Sequence, residues 1–194
     1  MKANRGLIPA ASSFAMWGIF PLYFHALSQV PALQIIANRI AWSCVFVVAW
    51  ILVRGELGLL RAALTDRTAV LRLTLTAALI TMNWLAYVWG VTHGRVVETS
   101  LGYFIGPLVN VLLGVVLLSE KLTRTQWTAV ALATLGVGYL TYMTGGLPWI
   151  ALTLAFSFAL YGFFRKLVKV EALPGLATET LLLAPLAVGY LLWC

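Results

Sequence analysis

Charge is scarce in this chain, and negative charge is the scarcest. Only 10% of the 194 residues are charged, and Asp and Glu together number 6 against 13 Lys and Arg. A soluble domain of this length needs charged residues over its exterior, so the composition excludes an ordinary water-soluble globule. Hydrophobic residues make up 62% of the chain. The sequence therefore predicts a protein whose main solvent is lipid.

Residues that support covalent or metal chemistry are also few. The two cysteines, Cys44 and Cys194, and the two histidines, His25 and His93, are widely separated. They give no disulfide framework and no metal-ligand cluster, and the sequence has no HExxH, GxSxG or P-loop motif. We expect no cofactor, no metal, no catalytic residue and no enzymatic activity.

Long apolar runs fill most of the chain. Seven of them approach the ~20 residues that a helix needs to cross hydrocarbon. Backbone groups in lipid must bond within their own segment, and these runs are too long for barrel strands, so we predict transmembrane helices. The predicted spans are residues 7–26, 35–53, 71–92, 97–118, 127–143, 147–164 and 178–194. We expect the connection 54–70 to lie on the cytoplasmic surface, because it carries leucines at helical spacing.

The basic residues predict the orientation of these spans. All but two of the 13 Lys and Arg residues, from Lys2 onward, precede the first span or follow the second, fourth or sixth. Only Arg39 and Arg95 fall on the other side. This positive-inside bias predicts a cytoplasmic N-terminus. The net charge of +7 then reflects topology and anionic lipid headgroups, and we expect no nucleic-acid partner.

One decapeptide occurs twice. Residues 11–20 match residues 155–164 at an offset of 144, with six identities. Five spans begin before the second copy, and an odd number of crossings reverses the direction of the chain. We predict an all-α integral membrane protein, an inverted-repeat helical bundle with five helices in residues 1–144 and two helices of a second repeat in residues 145–194. Because the chain stops within an apolar run, we expect a truncated polypeptide that lacks roughly three helices of the second repeat.

The fourth span carries a stripe of small and polar residues. Five residues recur at every fourth position: Glu98, Gly102, Gly106, Asn110 and Gly114. This spacing places them on one face of a helix. Glycines on such a face allow another helix to approach closely, and Pro107 frees a backbone carbonyl at membrane depth. Two interpretations stay open, namely a packing or hinge seam and the lining of a cavity.

Charged residues at membrane depth are candidates for function. Arg39 lies about 12 Å along its helix from Pro31. It either snorkels, faces a cavity or finds a partner, and we hypothesise a pair with Glu98 or a contact with substrate. Glu179 is interpreted as an interfacial carboxylate or, alternatively, as a cytoplasmic gate. These two carboxylates are too few and too peripheral to predict proton coupling.

Aromatic residues near the middle of the spans suggest a pocket. Trp17, Trp42 and Trp84 each lie about ten to twelve residues into a span, which is near the bilayer midplane at 1.5 Å per residue. Four further residues would complete its wall: Asn83, Tyr87, Tyr103 and Tyr161. A pocket of this kind offers aromatic faces and a few hydrogen bonds. Ordinary helix packing is the alternative.

Several motifs resemble the RarD-type branch of the EamA drug/metabolite transporter superfamily. They are residues 38–42 (NRIAW), 83–84 (NW), 98–110 (ETSLGYFIGPLVN), 120–121 (EK), 126–127 (QW), 155–162 (AFSFALYG) and 179–180 (ET). The resemblance covers essentially the whole chain. It implies a multi-pass protein of the bacterial cytoplasmic (inner) membrane, with ten helices in two inverted repeats around a central cavity. Gly106 departs from the pattern, which has Asn before Pro107.

We predict a transmembrane transporter of small metabolites or drugs, either amino-acid or chloramphenicol-like solutes, that works by alternating access. The candidates for its substrate cavity are Arg39, Asn83, Trp84, Glu98, Tyr103, Asn110 and Tyr161. The candidates for helix packing or a hinge are Gly102, Gly106, Pro107 and Gly114. Its expected partners are a small-molecule substrate and the lipid bilayer, with a homodimer or missing C-terminal helices left open. The alternative is a non-transporting membrane interaction protein, a truncated paralogue that needs a partner.

Overall fold

The computed structural model describes residues 4–119, 121–144 and 146–194. Within these ranges the chain forms eight α-helices. They are α1 (Asn4–Ala26), α2 (Ala32–Arg54), α3 (Leu57–Thr65), α4 (Arg67–Thr92), α5 (Val96–Leu118), α6 (Arg124–Thr144), α7 (Trp149–Leu167) and α8 (Ala172–Trp193). Lys2, Glu120 and Gly145 lie outside the described residues.

The predicted all-α membrane fold is confirmed. Each of the seven predicted spans coincides with a helix, and α3 occupies the connection after the second span. Among the described residues, α2, α4, α5, α7 and α8 are long and apolar enough to cross a membrane. The helices α1 and α6 have 23 and 21 residues at the predicted places, and their crossing of the bilayer stays a prediction.

Local capping explains why α3 is separate from its neighbours. Gly55 follows α2 with a φ of 68°, and its N–H donates to the last carbonyls of that helix. A left-handed residue of this kind ends a helix at low cost when it is glycine. Asp66 then begins α4 by accepting from the backbone N–H of Thr68 at 2.9 Å and of Ala69 at 3.3 Å. The segment between these two signals is only long enough for a short surface helix.

The helix α7 packs between α4 and α5. Gly102 makes the close approach to α5 possible, since a Cβ atom there would lie 2.9 Å from Cβ of Leu154 and 3.1 Å from the carbonyl oxygen of Ala151. A core cluster continues this contact with residues at every fourth position of both helices. They are Leu101, Ile105 and Val109 of α5 and Ala151, Ala155 and Ala159 of α7. The two helices therefore run in the same direction.

The helices that carry the two copies of the decapeptide run in opposite directions. Phe24, near the end of α1, shares a core cluster with Ile150, near the start of α7. The end of α4 supplies Tyr87, Val88 and Val91 to the same cluster, so the end of α1 and the start of α7 lie at the same level of the bundle. This is the relative orientation that an inverted repeat requires. The division of the chain into repeats at residue 144 stays a prediction.

Basic residues gather at one end of the bundle, which we call the basic end. There α2 stops beside the start of α8, because Ile51 and Ala177 are buried in one cluster with Leu60 of α3. The start of α4 meets the end of α7, since Nη1 of Arg72 donates to the carbonyl of Leu167 at 2.8 Å. The positive-inside prediction makes this the cytoplasmic end.

Candidate functional site

A cavity of about 110 Å³ lies between α2, α4 and α8. We call it the α2–α4–α8 cavity. Its lining residues are Arg39, Ile40, Ser43, Ile80, Thr81, Trp84, Leu176, Glu179, Thr180 and Leu183. One cation, one carboxylate and three hydroxyls thus share a wall that is otherwise apolar. Binding sites for small solutes have this composition, in which a few polar groups orient a ligand against an apolar surface.

The guanidinium of Arg39 lies over an aromatic ring of the cavity wall. Its Cζ atom is 3.4 Å from the centroid of the Trp84 ring. Trp17 also stacks on Trp84, with the ring centroids 5.6 Å apart and the planes 23° from parallel. The phenol group of Tyr103 is close enough to interact electrostatically with the guanidinium. A guanidinium stacked in this way keeps its planar edge of N–H donors available for a carboxylate or phosphate.

An aromatic cluster from α1, α4 and α5 supports Trp84. Tyr87 contacts Trp84 edge-on at 5.7 Å, Tyr103 contacts Tyr87 at 6.1 Å, and Trp17 contacts Tyr103 at 6.4 Å between ring centroids. Edge-to-face pairs at these distances are favourable arrangements. Trp42 is not part of this cluster. It is 60% exposed and packs on Phe46 of its own helix.

The hypothesised pair between Arg39 and Glu98 is wrong. Oε2 of Glu98 lies 2.9 Å from Nε of Arg95, three residues earlier in the chain. A partner one helical turn away needs less ordering than a partner on another helix. Oε1 of Glu98 is buried and has no hydrogen-bond partner among the described residues. Arg39 therefore reaches the cavity without a carboxylate partner in the described part of the chain.

Asn83 bridges α4 and α7. Its Nδ2 group donates to the carbonyl of Leu154 and to Oγ of Ser157, both at 2.9 Å. The side chain is buried at this helix contact, and it is absent from the lining of the α2–α4–α8 cavity. Its placement is that of a residue that joins two helices in lipid.

Substituting Asn83 with alanine should destabilise the protein modestly. Interhelical hydrogen bonds in membranes contribute on average about 0.6 kcal/mol and at most about 1.7 kcal/mol, so we expect a loss in that range. Thermal unfolding in detergent measures it. Asn38→Ala is the matched control, because among the described residues the amide of Asn38 donates only to the carbonyl of Gln34 on its own helix, at 3.0 Å. Equal stability of the two variants would contradict the assigned bridge.

Glu179 is buried inside the bundle. The residue is 3% exposed, and its position at the membrane interface stays a prediction. The hydroxyl of Thr76 on α4 lies 2.7 Å from Oε1 of Glu179, and Nε of Arg165 on α7 lies 3.8 Å from the same oxygen. The phenol group of Tyr161 on α7 is close enough to interact electrostatically with both Glu179 and Arg165. Two helices, α4 and α7, thus converge on one carboxylate of α8 that also lines the cavity.

Arg165 fastens the loop between α7 and α8. Its Nη1 and Nη2 groups donate to the carbonyls of Val170 and Glu171 at 3.1 and 3.0 Å. The guanidinium lies over Gly175, where a Cβ atom would be 2.7 Å from Cζ of Arg165. Since its terminal nitrogens are taken by the loop, only Nε faces Glu179, and at 3.8 Å it makes a loose ion pair rather than a hydrogen bond.

The remaining sequence candidates are dispersed along α5. Asn110 is exposed, Gly114 is buried, and no described atom lies within 4 Å of a Cβ placed at Gly106. Pro107 sits inside α5 without ending it. The predicted stripe therefore divides into a contact with α7 at Gly102, an open stretch at Gly106 and Asn110, and a buried position at Gly114.

Similarity to known proteins identifies the family of this chain. The model of the EamA-like transporter family matches residues 4–142. The chain belongs to the EamA-like transporter family. Within this family it is a RarD-type member, because RarD proteins are similar to it over nearly its whole length. No solved structure matches the chain.

Relatives in the EamA-like family come from distant bacteria. An uncharacterized transporter of Pseudomonas aeruginosa is 44% identical over 190 residues, which are 98% of this chain and 64% of that protein. An uncharacterized transporter of Bacillus subtilis is 45% identical over 195 residues, 99% of this chain and 65% of the relative. Protein RarD of Escherichia coli is 41% identical over 190 residues, 98% of this chain and 64% of RarD. The chain thus spans just under two thirds of the length of these relatives.

Proposed function

We propose that this protein transports small metabolites or drugs across the bacterial cytoplasmic membrane by alternating access, and that the α2–α4–α8 cavity binds the solute. The observation that carries the proposal is the guanidinium of Arg39, whose Cζ atom lies 3.4 Å from the Trp84 ring centroid in the lining of a cavity between three apolar helices. The relatives named transporters support the class of activity. The solute class follows from the chemistry of the cavity.

Energetics favour a solute with an anionic group. Placing an arginine at the centre of a membrane helix costs about 2.5–3.5 kcal/mol. Arg39 is exposed within the described chain, and a cation–π contact at an exposed site recovers only about 0.5–1 kcal/mol. The cation–π contact thus offsets only part of the cost of placing the arginine in the membrane. This remaining cost, together with the free edge of the guanidinium, favours a ligand that brings a carboxylate to Arg39. The aromatic cluster beside it favours a flat apolar group on the same ligand, as in an aromatic amino acid.

Transport by the purified chain in liposomes tests the proposal. We expect saturable uptake of labelled phenylalanine above that of protein-free liposomes. Excess unlabelled phenylalanine should compete, whereas phenethylamine, which has the ring but no carboxylate, should not. Chloramphenicol, a neutral aromatic solute, tests whether the ring alone is sufficient. If no panel solute crosses in either direction, the proposal fails and the alternative of a non-transporting membrane interaction protein gains weight.

A further inference from the structure

The hydroxyl of Thr76 lies between two acceptors and has one hydrogen to give. Its Oγ1 atom is 3.0 Å from the carbonyl oxygen of Leu73 and 2.7 Å from Oε1 of Glu179. A threonine hydroxyl donates one hydrogen bond and accepts others. It can therefore donate to only one of these oxygens at a time. Which oxygen receives the hydrogen depends on whether Glu179 carries a proton of its own.

Both protonation states of Glu179 are satisfied by this arrangement. When the carboxylate is ionised, Thr76 donates to Oε1 and Nε of Arg165 adds a loose ion pair at 3.8 Å. When a proton binds to Oε1, the new O–H donates to Oγ1 of Thr76, and the Thr76 hydroxyl turns to the carbonyl of Leu73. Oε1 of Glu179 and the hydroxyl of Thr76 therefore keep a hydrogen bond to each other in both states, which avoids the penalty for a buried unpaired polar group at these two atoms.

We propose that Glu179 is a proton-binding site that couples proton movement to solute transport. The proton comes from water at the basic end, binds to the carboxylate of Glu179 and leaves again as the ionised form returns. Protonation removes the negative charge that faces Arg165, and thereby weakens the contact of α8 with α7 beside the solute cavity. Intramembrane carboxylates with hydrogen-bonding partners serve as proton relays in transporters. This inference rests on the proposed transport function.

The charged and titratable groups around Glu179 are compatible with this role. On α7 they are Arg165 and Tyr161, and on α2 Arg39 lines the same cavity. The helix α4 presents Thr76, and Thr180 follows Glu179 on α8. Arg39 and Glu179 share the cavity without an ion pair between them. A bound solute carboxylate at Arg39 would therefore change the electrostatic environment of Glu179 and link the two sites.

Infrared spectroscopy of the full chain in lipid tests proton binding without any solute. Between alkaline and acidic buffer within the physiological range, we expect the carbonyl stretch of a protonated carboxylic acid to appear in the wild type. It should be missing in Glu179→Gln and present in Glu171→Gln, a matched change of an exposed carboxylate at the start of α8. In Thr76→Val the band should shift, because its hydrogen-bond partner is gone.

Transport measurements test the coupling. Glu179→Gln should lose phenylalanine accumulation driven by a pH gradient, and whatever exchange of labelled for unlabelled phenylalanine it retains should no longer depend on pH. Glu171→Gln should accumulate phenylalanine as wild type does. Thr76→Val should retain driven uptake with a pH midpoint moved upward by about one unit, since the ionised carboxylate loses its donor.

Three outcomes would overturn the proton site: a wild type without a titrating band, a band that persists in Glu179→Gln, or equal driven uptake in Glu179→Gln and wild type. If wild type transports no solute of the panel, the proposed function fails while the infrared result still decides whether Glu179 binds a proton. If Glu179→Gln does not elute as a folded protein, the shift in Thr76→Val decides instead, and an unshifted band there counts against the site.

Discussion

Arg39→Gln is expected to lower phenylalanine uptake roughly 10- to 100-fold at concentrations below saturation. The variant removes the only cation in the lining of the α2–α4–α8 cavity among the described residues. A hydrogen bond to a charged group contributes about 1.5–3 kcal/mol, and each 1.4 kcal/mol corresponds to about a tenfold change in affinity. We expect the loss mainly in KM, because the contact binds the solute before and during the conformational change.

One further variant separates charge from shape at position 39, and a second variant on α3 serves as its control. Arg39→Lys keeps the positive charge but loses the planar stack on Trp84 and the paired N–H donors, so intermediate uptake is expected. Arg61→Gln is the matched control, since Arg61 is exposed on the surface helix α3. It should transport as wild type does. Wild-type KM in Arg39→Gln would remove Arg39 from the binding site.

Gly102→Leu is expected to destabilise the bundle far more than Gly106→Leu. At Gly102 an added Cβ meets a backbone oxygen and a neighbouring Cβ, neither of which can move without separating α5 from α7. Overpacking of this kind costs roughly 2–3 kcal/mol, which for a chain of this size lowers the unfolding temperature by about 4–12 °C. Both positions lie on α5 one turn apart, so they have similar depth and helical context.

Gly106→Leu is the control for that comparison. The described residues leave the Cβ position of Gly106 open, and leucine is favoured over glycine in a helix by nearly 1 kcal/mol. We therefore expect an unchanged or slightly raised unfolding temperature for this variant in detergent. Destabilisation of the Gly106 variant to the level of the Gly102 variant would show that α5 has a second close contact at Gly106.

The helices could be predicted from the sequence because lipid leaves the backbone little choice. An apolar run of about 20 residues must satisfy its own hydrogen bonds, so each such run became a helix. The surface helix α3 was also predictable from the spacing of its leucines. Its bounds depend on Gly55 and Asp66, whose capping roles follow from local chemistry.

The partners of the polar residues could not be predicted from the sequence. Arg39 and Glu98 were paired in the sequence hypothesis because both belong to the same side of the membrane, but depth along a helix does not determine which face points inward. The sequence did contain one signal for the helix face that meets Glu179. Thr76, Asn83 and Tyr87 are seven and four residues apart on α4, a spacing that places them on one face. That polar face is the one that meets α7 and α8.

The packing groups the helices differently from the two sequence repeats. The helix α7 is enclosed by α4 and α5, with Asn83 and Gly102 at the two contacts, whereas α2 is held most extensively by α8. If packed helices move as rigid bodies, the units are α4, α5 and α7 on one side and α2 with α8 on the other. Each unit then combines helices from both halves of the chain. Arg39 lies in one unit and Trp84 in the other, so every cycle of such a motion would separate the guanidinium of Arg39 from the ring of Trp84.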